Sequence, residues 1–123
     1  AEKILNEIYN DELELTSAGL YPMTESNMDK RSAKFLKSIG ITNTLHLPKK
    51  ITSQMINNCD LILCMDHYVL SDLNKLSPRN SSKFKLIAFQ SPRIQIPDPY
   101  RFDEKKYVQV MENIHRVCKE INI

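Results

Sequence analysis

The residues that offer chemistry most plainly are Ile96-Pro97-Asp98-Pro99-Tyr100-Arg101, a carboxylate set between two prolines with an aromatic ring close by. Each proline fixes its own φ and restricts the residue before it, so Asp98 sits on a stiff backbone. A general acid needs such positioning, and Tyr100 offers a flat face to an aromatic substrate. On these six residues alone a surface turn explains the pattern better, because Asp-Pro is a common turn starter. The three cysteines, Cys59, Cys64 and Cys118, are odd in number and lack CxxC spacing. That argues against a disulfide framework, a zinc ribbon or a thioredoxin-like site. Gly19 and Gly40 are the only glycines, so neither a Walker A loop nor a dinucleotide-binding GxGxxG can be written. Neither a cofactor nor a metal is expected.

These residues need a scaffold, and the hydrophobic pattern supplies one. Ala1, Ile4, Leu5, Ile8 and Tyr9 follow a helical stripe with no capping residue ahead of it. Leu13 and Leu15 alternate with acidic residues, which predicts a short strand entering Ser17-Ala18-Gly19. Met28, Ser32, Phe35, Leu36 and Ile39 line one face of a helix that Gly40 is placed to end. An extended piece at Leu45 and Leu47 leads to a short helix capped by Thr52 or Ser53.

Leu61-Ile62-Leu63-Cys64-Met65 is a continuous apolar run, the pattern of a strand buried on both faces. Asp66 then caps a helix whose face is Val69, Leu70, Leu73 and Leu76, and Pro78 stops it. Phe84–Phe89 reads as a further buried strand, residues 90–101 as a proline-constrained loop, and Tyr107 to Ile121 as a long amphipathic helix. Strands alternating with helices predict an α/β fold, a mostly parallel sheet in three layers. Ligands in such sheets sit at the carboxyl ends of the strands, which points to the loops 17–23, 66–68 and 91–101.

The chain reads as a single domain over residues 1–123, with 41% hydrophobic and 26% charged residues. A net charge of +2 without a basic run gives no reason to expect nucleic acid. No apolar run approaches membrane-spanning length and no signal-peptide pattern opens the chain, so a cytoplasmic protein is expected.

Taken in order, Ala1-Glu2, Ser17-Ala18-Gly19, Asp29-x-Arg31, Gly40-Ile41, Ile51-Thr52, the segment from Asp60 to Asp66, and Asp98-Pro99-Tyr100 resemble the low-molecular-weight protein tyrosine phosphatases. Each piece alone is weak; their order and spacing carry the resemblance. Arg101 stands where animal members usually have a second tyrosine, and with Ser17-Ala18-Gly19-Leu20 this is more similar to the bacterial branch associated with exopolysaccharide export.

The resemblance implies a two-step mechanism. A cysteine thiolate in a C-x5-R-S loop attacks phosphorus while backbone N–H groups and the arginine hold the phosphate. Asp98 matches the acid that protonates the leaving phenolate and later deprotonates the attacking water. Tyr100 matches the residue that packs on the substrate ring, with Leu20, Tyr21, Pro22 and Met23 at the pocket mouth by position. Ser17 and His46 match members of a hydrogen-bond network that braces the phosphate loop. A half-buried histidine capping local backbone is the other reading of His46. Asp66 matches an aspartate facing that loop, or serves as a helix N-cap, or both. Glu2 matches an acidic residue behind the loop, and a solvated helix carboxylate explains it equally well. The implied partner is a phosphotyrosine protein, an autophosphorylated tyrosine kinase by analogy with the bacterial branch.

The nucleophile departs from the pattern. Six positions after Cys59 is Met65, six after Cys64 is Leu70, and Cys118 is too near the end, so no cysteine here qualifies. Members usually continue C-x5-R-S-P-Met-Ala-Glu, and this chain opens Ala1-Glu2. The expectation is a chain cut short at its N-terminus, lacking the first strand, which is central in the family's 2-1-3-4 sheet order. A start codon assigned to the methionine before Ala-Glu would produce that opening; a stop codon close upstream would exclude it. Without that strand the sheet has unpaired apolar edges, to be filled by the missing segment or by a swapped strand in an oligomer. The expected chain is inactive by itself. The alternatives are a pseudophosphatase that docks phosphotyrosine or kinase partners, and, ranked last, an arsenate reductase of the same fold.

Overall fold

The computed structural model describes residues 1–10, 12–21 and 27–123. Five α-helices and two strands follow in order: α1 Glu2–Tyr9, α2 Lys30–Ser38, α3 Ser53–Asn58, β1 Ile62–Cys64, α4 His67–Leu76, β2 Phe84–Leu86 and α5 Glu104–Glu120, with a 3-10 turn at Pro78–Lys83. β1 and β2 run parallel with Ile62 opposite Phe84, Leu63 opposite Lys85 and Cys64 opposite Leu86. The crossover between them is α4 and the 3-10 turn, the connection that parallel neighbours require. A separate parallel bridge joins Gly19 to Lys50.

Side chains on β1 alternate between two cores, which is why both faces of the strand are apolar in sequence. Ile62 and Cys64 face Ile56 of α3, Leu73 of α4 and Phe84. Leu63 and Met65 face the larger core of Ile4 and Leu5, Phe35 and Leu36, Ile87, Ile96 and the inner side of α5. On α5 the buried residues are Tyr107, Val110, Met111, Ile114, Val117 and Cys118, a stripe at three- and four-residue spacing. Helices therefore cover the sheet on both faces, the layered α/β arrangement expected.

Local signals set most of the boundaries. Thr52, not Ser53, caps α3: its Oγ1 accepts from the Met55 N–H at 3.2 Å. Asp66 Oδ1 accepts from the Val69 N–H at 2.9 Å and starts α4. α2 ends in a Schellman pair, Ile41 N–H to the Leu36 carbonyl and Gly40 N–H to the Lys37 carbonyl at 2.9 and 3.1 Å. Gly40 holds φ 91°, left-handed backbone with open space where a Cβ would stand. Gly40→Ala is therefore expected to cost about 1–2 kcal/mol through backbone strain alone, read as a lowered urea midpoint.

Four expectations need correction. The strand predicted at Leu13 and Leu15 does not form: Leu13 lies in a bend, Leu15 has no ladder pairing, and among the described residues the neighbourhood pairs only through the Gly19–Lys50 bridge. The strand predicted over Phe84–Phe89 stops at Leu86, because the Phe89 N–H turns back to the Leu86 carbonyl at 3.0 Å. Leu76, assigned to the apolar face of α4, is 62% exposed at the helix end. β1 is also less enclosed than a doubly covered strand: Ile62 and Leu63 are half-buried, since its second edge pairs with no strand among the described residues.

Candidate functional site

The loops that follow β1 and β2 carry the predicted chemistry. Ile96 is buried in the main core and Phe102 packs half-buried against it, so both ends of the Asp98 loop are anchored by apolar contact. Between them Asp98 Oδ1 accepts from the Tyr100 N–H at 3.1 Å, and the Phe102 N–H closes a turn onto the Pro99 carbonyl at 2.9 Å. The segment is thus a surface turn in conformation, with the Asp98 carboxylate on its stiff backbone. Asp98 is exposed, and Tyr100 is 61% exposed beside it.

A second group lies where α1 meets the segments around residues 17 and 46. Ser17 Oγ donates to Glu2 Oε2, and His46 Nδ1 stands 3.9 Å from the same oxygen. Asn27 Oδ1 accepts from the His46 N–H at 3.2 Å and from the Met28 N–H at 2.8 Å, which fixes the backbone that carries the imidazole. Ser17, Ala18, Gly19, His46, Pro48 and Lys49 line a hollow of about 200 Å³. The structure brings Ser17 and His46 together through Glu2, and Asn27 is a participant that sequence reasoning missed. An asparagine in a polar loop carries no signal of a partner nineteen positions away.

Asp66 does not join this cluster through a hydrogen bond in the described residues; its side chain is spent on the α4 cap. Leu20 is half-buried and packs on the smaller core beside Ile56 and Leu73, so its place is mainly structural. Tyr21, next to it, is 86% exposed. Pro22 and Met23 lie outside the described residues.

Arg31 makes contacts near the Asp98 turn that the sequence concealed. Its guanidinium donates to Asp29, to the Phe102 carbonyl at 2.8 Å and to the Tyr100 carbonyl at 3.0 Å, and lies 3.9 Å over the Tyr107 ring. The same guanidinium holds the Asp29 carboxyl below the usual carboxylate range. The Asp29-x-Arg31 spacing was the available signal.

The cysteines are free thiols. Burial, aided by the nearby Asp66 charge, pushes the Cys64 thiol up to about 11, and burial also raises Cys118. A nucleophilic cysteine requires the opposite shift. In native protein, alkylation by iodoacetamide is expected to be slow at Cys64 and Cys118 and faster at half-buried Cys59, with all three reacting after denaturation. Peptide mapping checks the order. Among the described residues no cluster of three His, Cys, Asp or Glu side chains is placed to hold a metal ion, and no helix is long and apolar enough to cross a membrane.

The described residues form a layered α/β scaffold, with Asp98 exposed in a proline-flanked turn that follows β2 in the chain. Residues 1–122 match the family of low molecular weight phosphotyrosine protein phosphatases, and the chain belongs to that family. It is 26% identical over 108 residues to the low molecular weight protein-tyrosine-phosphatase Etp of Escherichia coli K12, covering 88% of this chain and 73% of that one. The chicken low molecular weight phosphotyrosine protein phosphatase is 34% identical over 96 residues, 74% of this chain and 60% of the relative. In fold it superposes on tyrosine phosphatase Wzb from E. coli K30 with a TM-score of 0.87 at 23% identity, covering 96% of this chain and 82% of that one. Erwinia amylovora tyrosine phosphatase amsI gives 0.88 at 22% identity, covering 96% and 78%.

Proposed function

We propose that this chain carries the acid half of a phosphotyrosine hydrolysis site, with Asp98 as general acid and base and Tyr100 against the substrate ring. The observation that carries the reading is the Asp98 turn itself, anchored at Ile96 and Phe102 with the carboxylate exposed between them. In the first step a thiolate attacks phosphorus, an S–P bond forms, the aryl O–P bond breaks, and Asp98 gives its proton to the departing phenolate. In the second, Asp98 takes a proton from water as the water oxygen attacks phosphorus, releasing inorganic phosphate and regenerating the thiolate.

The thiolate and phosphate cradle are not supplied by these 123 residues, since no cysteine has an arginine six positions on. The unpaired second edge of β1 supports the idea that a strand carrying the C-x5-R-S loop pairs there, consistent with the family's 2-1-3-4 order. Ser17 and His46 on the hollow, with Glu2 between them, would brace that loop, and Asp66 just after β1 would face it. Tyr21 and Tyr100 would form the rim for a phosphotyrosine protein, an autophosphorylated kinase being the substrate that the bacterial relatives suggest.

The test is vanadate-sensitive hydrolysis of an aryl phosphate by residues 1–123, alone and with a synthetic peptide of one strand plus the C-x5-R-S loop, about twenty residues. Alone, no turnover is expected; the peptide restores it. Turnover by the chain alone overturns the assignment of roles. Binding of phosphotyrosine peptides without turnover in either case favours a docking module.

A further inference from the structure

We propose that Arg31 is the positioning residue of the Asp98 loop, clamping the backbone on either side of Arg101 and so setting where the Asp98 carboxylate and Tyr100 ring stand. The inference rests on the reading of Asp98 as the acid. Its physical basis is the planar fork of the guanidinium, which carries five N–H donors in fixed directions. One edge is taken by Asp29, with Nε to Oδ1 at 3.2 Å and Nη2 to Oδ2 at 3.0 Å. The other reaches the loop, with Nη1 to the Phe102 carbonyl at 2.8 Å and Nη2 to the Tyr100 carbonyl at 3.0 Å. The face rests on Tyr107 at 3.9 Å.

Each support is itself fixed. Asp29 is the N-cap of α2, accepting from the Arg31 N–H at 2.8 Å, and Tyr107 is buried on the inner side of α5. The clamp therefore ties the loop to two helices at once. From Ile96 to Phe102 the remaining hydrogen bonds among the described residues are internal, Tyr100 to Asp98 and Phe102 to Pro99. At the start of the loop, Ser91 donates to Glu120 of α5 at 2.7 Å; among the described residues, the hydrogen bonds between residues 96–102 and a helix are the two from Arg31. They straddle Arg101, whose side chain is left exposed to solvent.

A lysine at this position keeps the charge but cannot span both carbonyls and Asp29 in one plane. The 123-residue chain allows a direct test, because the exposed Arg101 is a trypsin site inside the clamped segment. Cleavage after Arg101 and deuterium uptake at residues 100–102 would be compared in wild type, Arg31→Lys and Asp29→Asn, with cleavage after Lys75 as internal reference. Arg31→Lys is expected to accelerate the Arg101 cut about tenfold or more relative to Lys75, with matching local uptake. Asp29→Asn keeps a good helix cap and removes the charge that orients the guanidinium, so a smaller acceleration follows.

A rate at Arg101 within twofold of wild type in both variants overturns the clamp. A role limited to charge or to bracing α2 predicts that lysine restores full protection, or that all sites accelerate together as the urea midpoint falls; either result also overturns it. If Arg31→Lys unfolds the chain, Asp29→Asn decides by the same criterion, local acceleration for the clamp and none against it. The cleavage reads Arg31 whether or not Asp98 is the acid, and Asp98→Asn reads the acid, so the two ideas fail separately.

Discussion

In a version of this chain extended at its N-terminus by one strand and a C-x5-R-S loop, Asp98→Asn is expected to lower turnover of phosphotyrosine peptides by about 10²–10⁴-fold, the usual worth of a positioned general acid. The phenol of tyrosine has a pKa near 10, so its phenolate is a poor leaving group at neutral pH and needs the proton. Asparagine preserves the oxygen that accepts from the Tyr100 N–H at 3.1 Å, so the turn should survive the change. The loss should shrink for an aryl phosphate whose leaving phenol is much more acidic, because that departure needs less help from an acid. Steady-state kinetics on two such substrates separates the cases. An equal loss on both would mean that the substitution has damaged the loop instead of removing a proton donor. No loss on either would remove Asp98 from the mechanism.

That prediction depends on a residue readable from the sequence, whereas its immediate support was not. Asp98 stands between two prolines, and proline constrains backbone locally whatever the tertiary fold does. Gly40, Thr52 and Asp66 were readable for the same reason: a cap acts on N–H or C=O groups within four or five positions. Arg31 acts on carbonyls 69 and 71 positions away, and backbone carbonyls carry no sequence identity at all. The Glu2, Ser17 and His46 cluster fell between these cases, since the resemblance proposed its members one by one while the shared carboxylate emerged only in three dimensions.

Strands were misread in a related way. Alternation at Leu13 and Leu15 describes a segment able to pair, and pairing requires a neighbour. In the described residues the nearest ladder contact is the Gly19–Lys50 bridge, so the segment does not become a strand. The same dependence explains the half-burial of β1. Its composition suits a strand with neighbours on both edges, and one edge has none among the described residues. A strongly apolar run is thus left partly exposed in the described residues.

The largest stability effect is expected at Leu73. It is 2% exposed and closes a small core with Ile56, Cys64 and Phe84. Leu→Ala substitutions at such positions cost about 2–5 kcal/mol, combining lost transfer energy with the cavity left behind. The upper part of that range is expected, because collapse around the gap is hindered on the strand side. Cys64 and Phe84 belong to β1 and β2, whose parallel register holds them, and Ile56 sits on the short Thr52-capped helix. Against a typical total of about 5–15 kcal/mol, Leu73→Ala removes a large share of the chain's stability. Leu76→Ala, on the same helix at 62% exposure, is the matched control and should change stability by no more than about 0.5 kcal/mol. Urea unfolding of both variants tests this, with an unchanged slope showing that the midpoint reports stability. A cost below about 1 kcal/mol for Leu73→Ala would mean that α4 is held mainly by its ends, through the Asp66 cap and the 3-10 turn, and not by the core beneath it. In that case Asp66→Ala, which otherwise costs about 0.5–2 kcal/mol as a lost cap, should become the more damaging change.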